Sequence, residues 1–212
     1  MTGSTSTSIW KNYQNGVRNY CGHELPENMK KNEKLPYIML TPTTKEETHD
    51  RPISAQEIIE TGLLSPQDWE ICSKAVLALF QRGQELAAQN GLILVDTKYE
   101  LGKHCTNDQI VLIDEVHTPD SSRYWIASSY QERVDQGLEP ENIDKEFLRL
   151  WFANHCDPYN DAILPEAPKD LVVELSRRYI MLYEKITGNK FNFDLDENSD
   201  QAIANAISSY LL

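Results

Sequence analysis

Three charged residues alternate along a segment that the sequence predicts to be a β-strand. Asp96, Lys98 and Glu100 follow the apolar run 92–95. Because successive strand side chains point to opposite faces of a sheet, these three share one face. The apolar run indicates a strand buried on both sides, where charges need partners since burial of a lone charge is unfavourable. A solvated strand face with a surface ion pair is the alternative interpretation.

A second apolar run, 110–113, is followed by Asp114 and Glu115. We therefore predict a β-hairpin with a strand over 92–101, a turn over 102–108 and a returning strand over 110–116. Such a hairpin brings acids from both arms together, and like charges at close range raise each other's pKa unless a cation lies between them. Two carboxylates with phosphate oxygens and waters are typical of a magnesium site, although an ion-paired or solvated cluster fits the spacing equally well.

The turn after the hairpin, 117–123, is dense in hydrogen-bonding groups. Arg123 with Ser122 could hold a phosphate, because a guanidinium fork matches phosphate oxygens. The Pro-Asp-Ser-Ser sequence is also simply a favourable turn. Both interpretations remain open at this point.

Three further polar sites precede the hairpin. Lys45 follows two threonines and is either a phosphate contact or a surface lysine. His49 and Asp50 could form a general-base pair or a loop hydrogen bond. The hydroxylic stretch 2–8 is either a disordered tail or a loop that faces a phosphate.

Helices must position these residues. Ser54 caps one predicted helix, with Glu57 completing a capping box, and Ser65 caps a second that runs to about residue 89. The remaining helical patterns cover 9–17, 129–136, 143–154, 168–187 and 199–212. The expected fold class is α+β, with an antiparallel hairpin packed by helices.

Composition and charge narrow the function classes. The chain has 212 residues, 40% of them hydrophobic, and a net charge of −13. So acidic a protein is not a general nucleic-acid binder, because it cannot neutralise a phosphate backbone. No apolar run is long enough to span a membrane, and the first residues lack a secretory pattern. Four scattered cysteines suit reduced thiols, so we expect a cytoplasmic protein.

Taken in order, four motifs resemble those of SAICAR synthase (phosphoribosylaminoimidazole-succinocarboxamide synthase). They are Gly3-Ser4, the Lys-x-x-x-His-Asp segment 45–50, the Leu-Val-Asp-x-Lys-x-Glu-x-Gly segment 94–102, and the Asp-Glu-x-x-x-Pro-Asp-x-Ser-Arg-x-Trp segment 114–125. The similarity extends to about residue 191 and looks like the plant and bacterial branch. It implies a SAICAR synthase-like fold, with an ATP-binding C-terminal lobe over 1–193 and an acidic linker with a helical tail over 194–212.

The resemblance also implies a reaction and residue roles. ATP would activate the carboxylate of carboxyaminoimidazole ribonucleotide, and the amine of L-aspartate would displace phosphate to form an amide. By position, magnesium would be held by Glu100 and Asp114, and ATP contacted by Lys45. Asp50 and Lys98 would lie beside the reacting groups, with Lys98 steadied by Asp96. The substrate would be bound by Gly3, Ser4, Asp120, Ser122, Arg123 and Arg149.

The family's N-terminal lobe, with its glycine-rich loop, has no counterpart before Gly3. The expectation is a truncated or misplaced start, or a lobe supplied as a separate chain. A non-catalytic nucleotide-binding or assembly fragment is the alternative function. Surfaces that normally face the lobe would then be exposed, so self-association into homo-oligomers is expected.

Overall fold

The computed structural model describes residues 7–45, 50–158, 160–192 and 199–210. Within these ranges the chain forms seven helices and six strands. In order they are α1 (Ile9–Gln14), β1 (Asn19–Tyr20), β2 (His23–Glu24), α2 (Ala55–Glu60), α3 (Pro66–Gln89), β3 (Leu92–Thr97), β4 (Glu100–Lys103), β5 (Ile110–Ile113), β6 (Ser122–Ile126), α4 (Ala127–Asp135), α5 (Glu146–His155), α6 (Lys169–Thr187) and α7 (Ser199–Tyr210).

The two predicted helix caps in the first half are present. The Ser54 hydroxyl accepts a hydrogen bond from the Glu57 amide at 3.1 Å, and the Ser65 hydroxyl accepts one from the Asp68 amide at 3.0 Å. Each side chain thus satisfies an amide that the helix leaves without an intrahelical partner. The Glu57 carboxylate pairs with Arg51 at 2.9 Å. The caps fix where α2 and α3 begin, and α3 supports the strands that follow.

A hairpin is present as β4 and β5, which pair antiparallel with Glu100 opposite Ile113. β4 shares only Glu100 and Leu101 with the predicted strand and continues to Lys103 in the predicted turn, and β5 ends at Ile113 instead of residue 116. The first strand of the hairpin is shorter than expected, because the segment 92–101 breaks after Thr97. The upstream half, β3, pairs with β6, a strand whose first two residues sequence reasoning assigned to a turn. One apolar segment therefore changes partner midway, and the change falls within the Asp-x-Lys-x-Glu motif.

The main core lies between α3, the β3–β6 pair and α6. It consists of Ala87, Leu92, Leu94, Tyr124, Ile143 and Leu182, each at most 3% exposed. Burial on this scale provides most of the driving force for folding. The prediction that the run 92–95 is buried on both faces holds for Leu92 and Leu94, while Ile93 and Val95 on the other face are half-buried. In β5, by contrast, Ile113 is 45% exposed.

The described helices include none that is both long and apolar enough to cross a bilayer. All four cysteines are free thiols. The predicted tail helix is observed as α7, and its Ile203 and Ile207 are more than half exposed.

Candidate functional site

The candidate site forms where β3 ends, β4 begins and β5 ends. Lys98 and Tyr99 occupy the break between the first two strands. The Lys98 amide donates to the Ser121 carbonyl at 3.1 Å, which holds the break against the turn that precedes β6. The same few residues therefore join both strand pairs.

Lys45, Lys98 and Glu100 form a lysine–carboxylate cluster at this break. Glu100 Oε1 accepts from Lys45 Nζ at 3.1 Å and also contacts Lys98 Nζ. These hydrogen bonds, first that from Lys98 and then that from Lys45, lower the pKa of Glu100. The lysine side chains are 67% and 58% exposed. Solvent-exposed ion pairs are weak, so both ammonium groups can be shared with an anionic ligand.

Asp114 directly follows β5 and has a left-handed backbone conformation. It follows Ile113, which faces Glu100, so in extended backbone it would point to the face opposite Glu100. Its φ of 71° is left-handed, however, and breaks the alternation. The hydrogen bond to Glu100 raises the pKa of Lys98, and the Asp114 charge adds to that shift. Carboxylates from both arms of the hairpin thus act on one ammonium group.

A second group of charges, the buried arginine network, is centred on Arg123 in β6. Its Nη1 contacts Asp96, and its Nη2 lies 3.5 Å from Glu146 Oε2. The side chains of Arg123 and Glu146 are only 12% and 9% exposed. Removal from water raises the pKa of Asp96, and the Arg123 charge opposes that shift. Asp96 thus pairs with Arg123. The prediction that Asp96 steadies Lys98 is not met, because Lys98 pairs with Glu100.

Asp144 and Glu146 belong to this network, and sequence reasoning missed both. Asp144 is 1% exposed and accepts the Tyr124 amide at 2.7 Å and the Glu146 amide at 2.8 Å. Burial raises its pKa to about 6. A helix predicted over 143–154 places Asp144 in its first turn, where acids are usually exposed. Since α5 begins only at Glu146, Asp144 is instead free to bridge β6 and the helix start.

The other predicted residues are distributed around these two groups. Asp120 pairs with Lys145 at 2.9 Å, and Arg149 lies 3.7 Å from Glu146. Ser122 is 4% exposed, and its hydroxyl is 2.7 Å from that of Thr97. Asp50 is exposed. The predicted residues Gly3, Ser4 and His49 lie outside the described part of the chain.

An open groove of about 1990 Å³ connects several of these side chains. Its polar wall includes Lys45, Asp50, Asp96, Lys98 and Glu100, and its apolar wall includes Leu77, Phe80 and Val95. A groove with an apolar side and a few convergent charges is a typical small-molecule site. The structure therefore places five of the predicted residues on one surface.

Comparison with known proteins gives the same family as the motifs. Residues 1–165 match the model of the family described as SAICAR synthetase. The phosphoribosylaminoimidazole-succinocarboxamide synthase of Legionella pneumophila (strain Lens) is 59% identical over 194 residues, which are 92% of this chain and 62% of the relative. The chain thus spans about three-fifths of that relative's length.

Two solved structures share the fold. SAICAR synthase from Saccharomyces cerevisiae in complex with SAICAR superimposes with a TM-score of 0.72 at 31% identity, covering 91% of this chain and 58% of the yeast chain. A type-2 SAICAR synthetase in complex with ADP gives a TM-score of 0.57 at 26% identity, covering 86% of this chain and 60% of that one. The mixed helical and antiparallel architecture is therefore a SAICAR synthase-like α+β fold.

Proposed function

The chain belongs to the SAICAR synthetase family, and from this premise we propose that it carries the nucleotide- and substrate-handling part of a SAICAR synthase. The proposed reaction ligates L-aspartate to carboxyaminoimidazole ribonucleotide, with ATP converted to ADP and phosphate. We place the functional lobe in residues 1–193 and treat 194–212 as an appended linker and tail. The proposed location is the cytoplasm.

The proposed chemistry has two steps. A substrate carboxylate oxygen attacks the γ-phosphorus of ATP, so that an acyl phosphate forms and ADP leaves. The aspartate amine then attacks the acyl carbon, the C–N bond forms as the C–O bond to phosphate breaks, and the amine loses a proton. Neither step needs a protein nucleophile. Both need phosphate charge to be neutralised and the reactants to be aligned.

The lysine–carboxylate cluster is the observation that carries this proposal. Lys45 and Lys98 reach Glu100 from two separate segments and line one groove. Cations placed in this way can neutralise a triphosphate despite the chain's net charge of −13. In the proposed complex Lys45 contacts ATP, and Lys98 with Asp50 lies beside the reacting carboxylate and amine. The ADP of the type-2 SAICAR synthetase supports a nucleotide here.

The donor set at the end of the hairpin fits a magnesium ion. Glu100 lies opposite Ile113 in the hairpin register and Asp114 is the next residue after Ile113, so two carboxylates belong to the same end of the hairpin. Magnesium takes oxygen ligands and is commonly held by one or two carboxylates with substrate phosphates and waters. We propose that Glu100 and Asp114 hold it, where it would neutralise charge on the triphosphate.

The buried arginine network forms the substrate side of the proposed site. The Arg149 side chain is 41% exposed, so its guanidinium can reach a bound anion. Arg123 is held by Asp96 and Glu146, which fix its position for a substrate phosphate. We keep Gly3, Ser4, Asp120 and Ser122 as proposed substrate contacts.

The exposure of the lysine–carboxylate cluster favours a second candidate function, a nucleotide-binding or assembly module. The two lysine side chains are 67% and 58% exposed, which is sufficient for binding an anionic nucleotide without turnover. Under this proposal the chain binds magnesium and ADP without releasing phosphate, and it associates with a second copy of itself.

The test measures phosphate release from ATP that depends on both carboxyaminoimidazole ribonucleotide and L-aspartate, alongside calorimetric binding of ADP with magnesium. We expect Glu100→Gln and Asp114→Asn to abolish turnover. Glu70→Gln, which removes an exposed carboxylate paired with Lys74 on α3, is the matched control and should leave turnover unchanged.

Each outcome separates the candidates. Turnover that survives both site substitutions would refute the magnesium assignment. Magnesium–ADP binding without turnover identifies the binding module. If the chain neither binds ADP nor turns over, both functions are refuted for the chain alone.

A further inference from the structure

One packed pair of side chains, Tyr99 and His117, connects the two segments that carry the proposed magnesium ligands. Tyr99 lies between Lys98 and Glu100 in the strand break, and His117 lies three residues after Asp114. The Tyr99 hydroxyl and His117 Nε2 are hydrogen bonded, and the ring centroids are 5.5 Å apart with planes tilted by 59°. This contact therefore crosses from one arm of the site to the other.

The imidazole of His117 occupies a space that α3 leaves for it. A Cβ atom added at Gly83 would overlap His117 Cε1 and would lie 2.7 Å from both His117 Nδ1 and Leu94 Cδ2. Real Cβ atoms do not approach other atoms so closely, so only glycine at this position of the helix admits the ring. A glycine in a helix interior costs about 1 kcal/mol relative to alanine. The close approach of His117 explains why the helix has glycine at this position despite its unfavourable helix propensity.

The backbone of the turn is also held at this point. His117 has a φ of 57°, and its carbonyl accepts a hydrogen bond from the buried Tyr124 hydroxyl at 3.0 Å. Asp114 is left-handed as well, with a φ of 71°. Non-glycine residues hold such backbone only where the surroundings determine it. Burial lowers the pKa of His117, which favours the neutral ring that Tyr99 contacts.

We infer that His117 is a positioning residue: seated against Gly83 and bonded to Tyr99, it fixes the left-handed turn that carries Asp114 at the end of the hairpin where Glu100 lies. This inference rests on the proposed function for its consequence, which is tighter magnesium binding. The contact itself joins two residues of the chain and involves no proposed ligand, so its structural part can be tested separately.

The functional arm uses ADP as the probe and titrates magnesium against wild type, Tyr99→Phe, His117→Leu and Gly83→Ala. Loss of one neutral hydrogen bond should raise the half-saturating magnesium concentration about fivefold. The affinity for ADP at saturating magnesium should change little, a split that general destabilisation would not produce. The double variant Tyr99→Phe/His117→Leu should be no worse than either single variant, because both remove the same bond.

Two controls match these changes. Tyr130→Phe removes a hydroxyl that donates to the Asn32 carbonyl at 2.7 Å, away from the hairpin. Gln81→Ala alters an exposed residue of α3 near Gly83. Neither should change the magnesium requirement. The inference would be overturned if the controls raised the half-saturating magnesium concentration as much as the three test variants do. It would also be overturned if the three test variants left that concentration unchanged.

The structural arm records the backbone amide resonance of Asp114 in the isotope-labelled chain without ligand. We expect it to move in Tyr99→Phe and Gly83→Ala and to stay in place in both controls. An unmoved Asp114 resonance refutes the positioning role, whatever the activity. A moved resonance in a chain that binds no ADP supports the positioning role and counts against the proposed function instead.

Discussion

The lysine–carboxylate cluster and the buried arginine network contain the same kinds of charge but differ in their access to water. In the first, the Lys45 side chain is 67% exposed beside Glu100. In the second, Arg123 is 12% exposed between Asp96 and Glu146. The two groups meet in one segment of the chain, where Asp96 of the second and Lys98 of the first are only two residues apart.

This difference separates the parts of the site that can exchange partners from the parts that hold the fold. Exposed ion pairs contribute little to stability, since water competes for both charges. Removing one member of a buried pair leaves the other charge without compensation, which is strongly destabilising. We therefore expect substitutions in the arginine network to lower the free energy of unfolding. Substitutions in the lysine–carboxylate cluster should instead weaken ligand binding.

The largest decrease in the free energy of unfolding is expected for Arg123→Ala. It leaves the Asp96 and Glu146 carboxylates facing each other in a poorly solvated site, and loss of a buried partner costs about 3–5 kcal/mol. Urea denaturation should show that decrease in the free energy of unfolding. Arg177→Ala removes an exposed arginine that pairs with Glu174 on α6, and it should leave the urea midpoint unchanged. Equal losses in the two variants would erase the distinction between buried and exposed pairs.

A smaller decrease in the free energy of unfolding is expected for Asp144→Ala. The substitution removes the acceptor of the Tyr124 and Glu146 amides, and a buried donor without a partner costs about 1–3 kcal/mol. The measurement is denaturation at pH 4, where the side chain is protonated in the folded state. Asp135→Ala, at an exposed position, is the control.

The same variant has a defined pH dependence. The pKa of Asp144 rises from 3.8 to about 6 on folding, so its contribution to stability is greatest below pH 3.8 and is lost as the pH rises through 6. The difference in unfolding free energy between wild type and Asp144→Ala should therefore narrow from pH 4 to pH 7. A difference that widens over this range would mean that burial does not raise the pKa of Asp144 on folding.

The smallest effect on folding is expected for Lys45→Met, which removes one ammonium group from Glu100 but leaves Lys98 in place. The melting temperature should stay within the error of the measurement, while ADP binding with magnesium should weaken and lose part of its salt dependence. Lys74→Met, which breaks the exposed pair with Glu70, is the matched control and should alter neither quantity. A clear loss of stability in Lys45→Met would place the lysine–carboxylate cluster with the fold instead of the ligand.

Local signals in the sequence predicted the elements well where they depend on neighbouring residues. Ser54 and Ser65 mark helix starts because each cap satisfies an amide three residues away. The apolar run 110–113 after a polar turn predicted β5, but the other apolar run, 92–95, lies in β3 and pairs with β6 instead of β5. The strand β6 was missed because its first residues, Ser122 and Arg123, have turn-like polarity, and only pairing with β3 makes them a strand.

The sequence by itself determined the family, the helix boundaries near their caps and the set of charged residues at the end of the hairpin. Tertiary structure decided which charges meet. Asp96 and Lys98 alternate with Glu100 in sequence, but the break after Thr97 gives Asp96 to Arg123 and Lys98 to Glu100. The physical reason is that the pairing of charges depends on burial and on long-range register. The Tyr124 amide that Asp144 accepts, for example, lies 20 residues away in the chain.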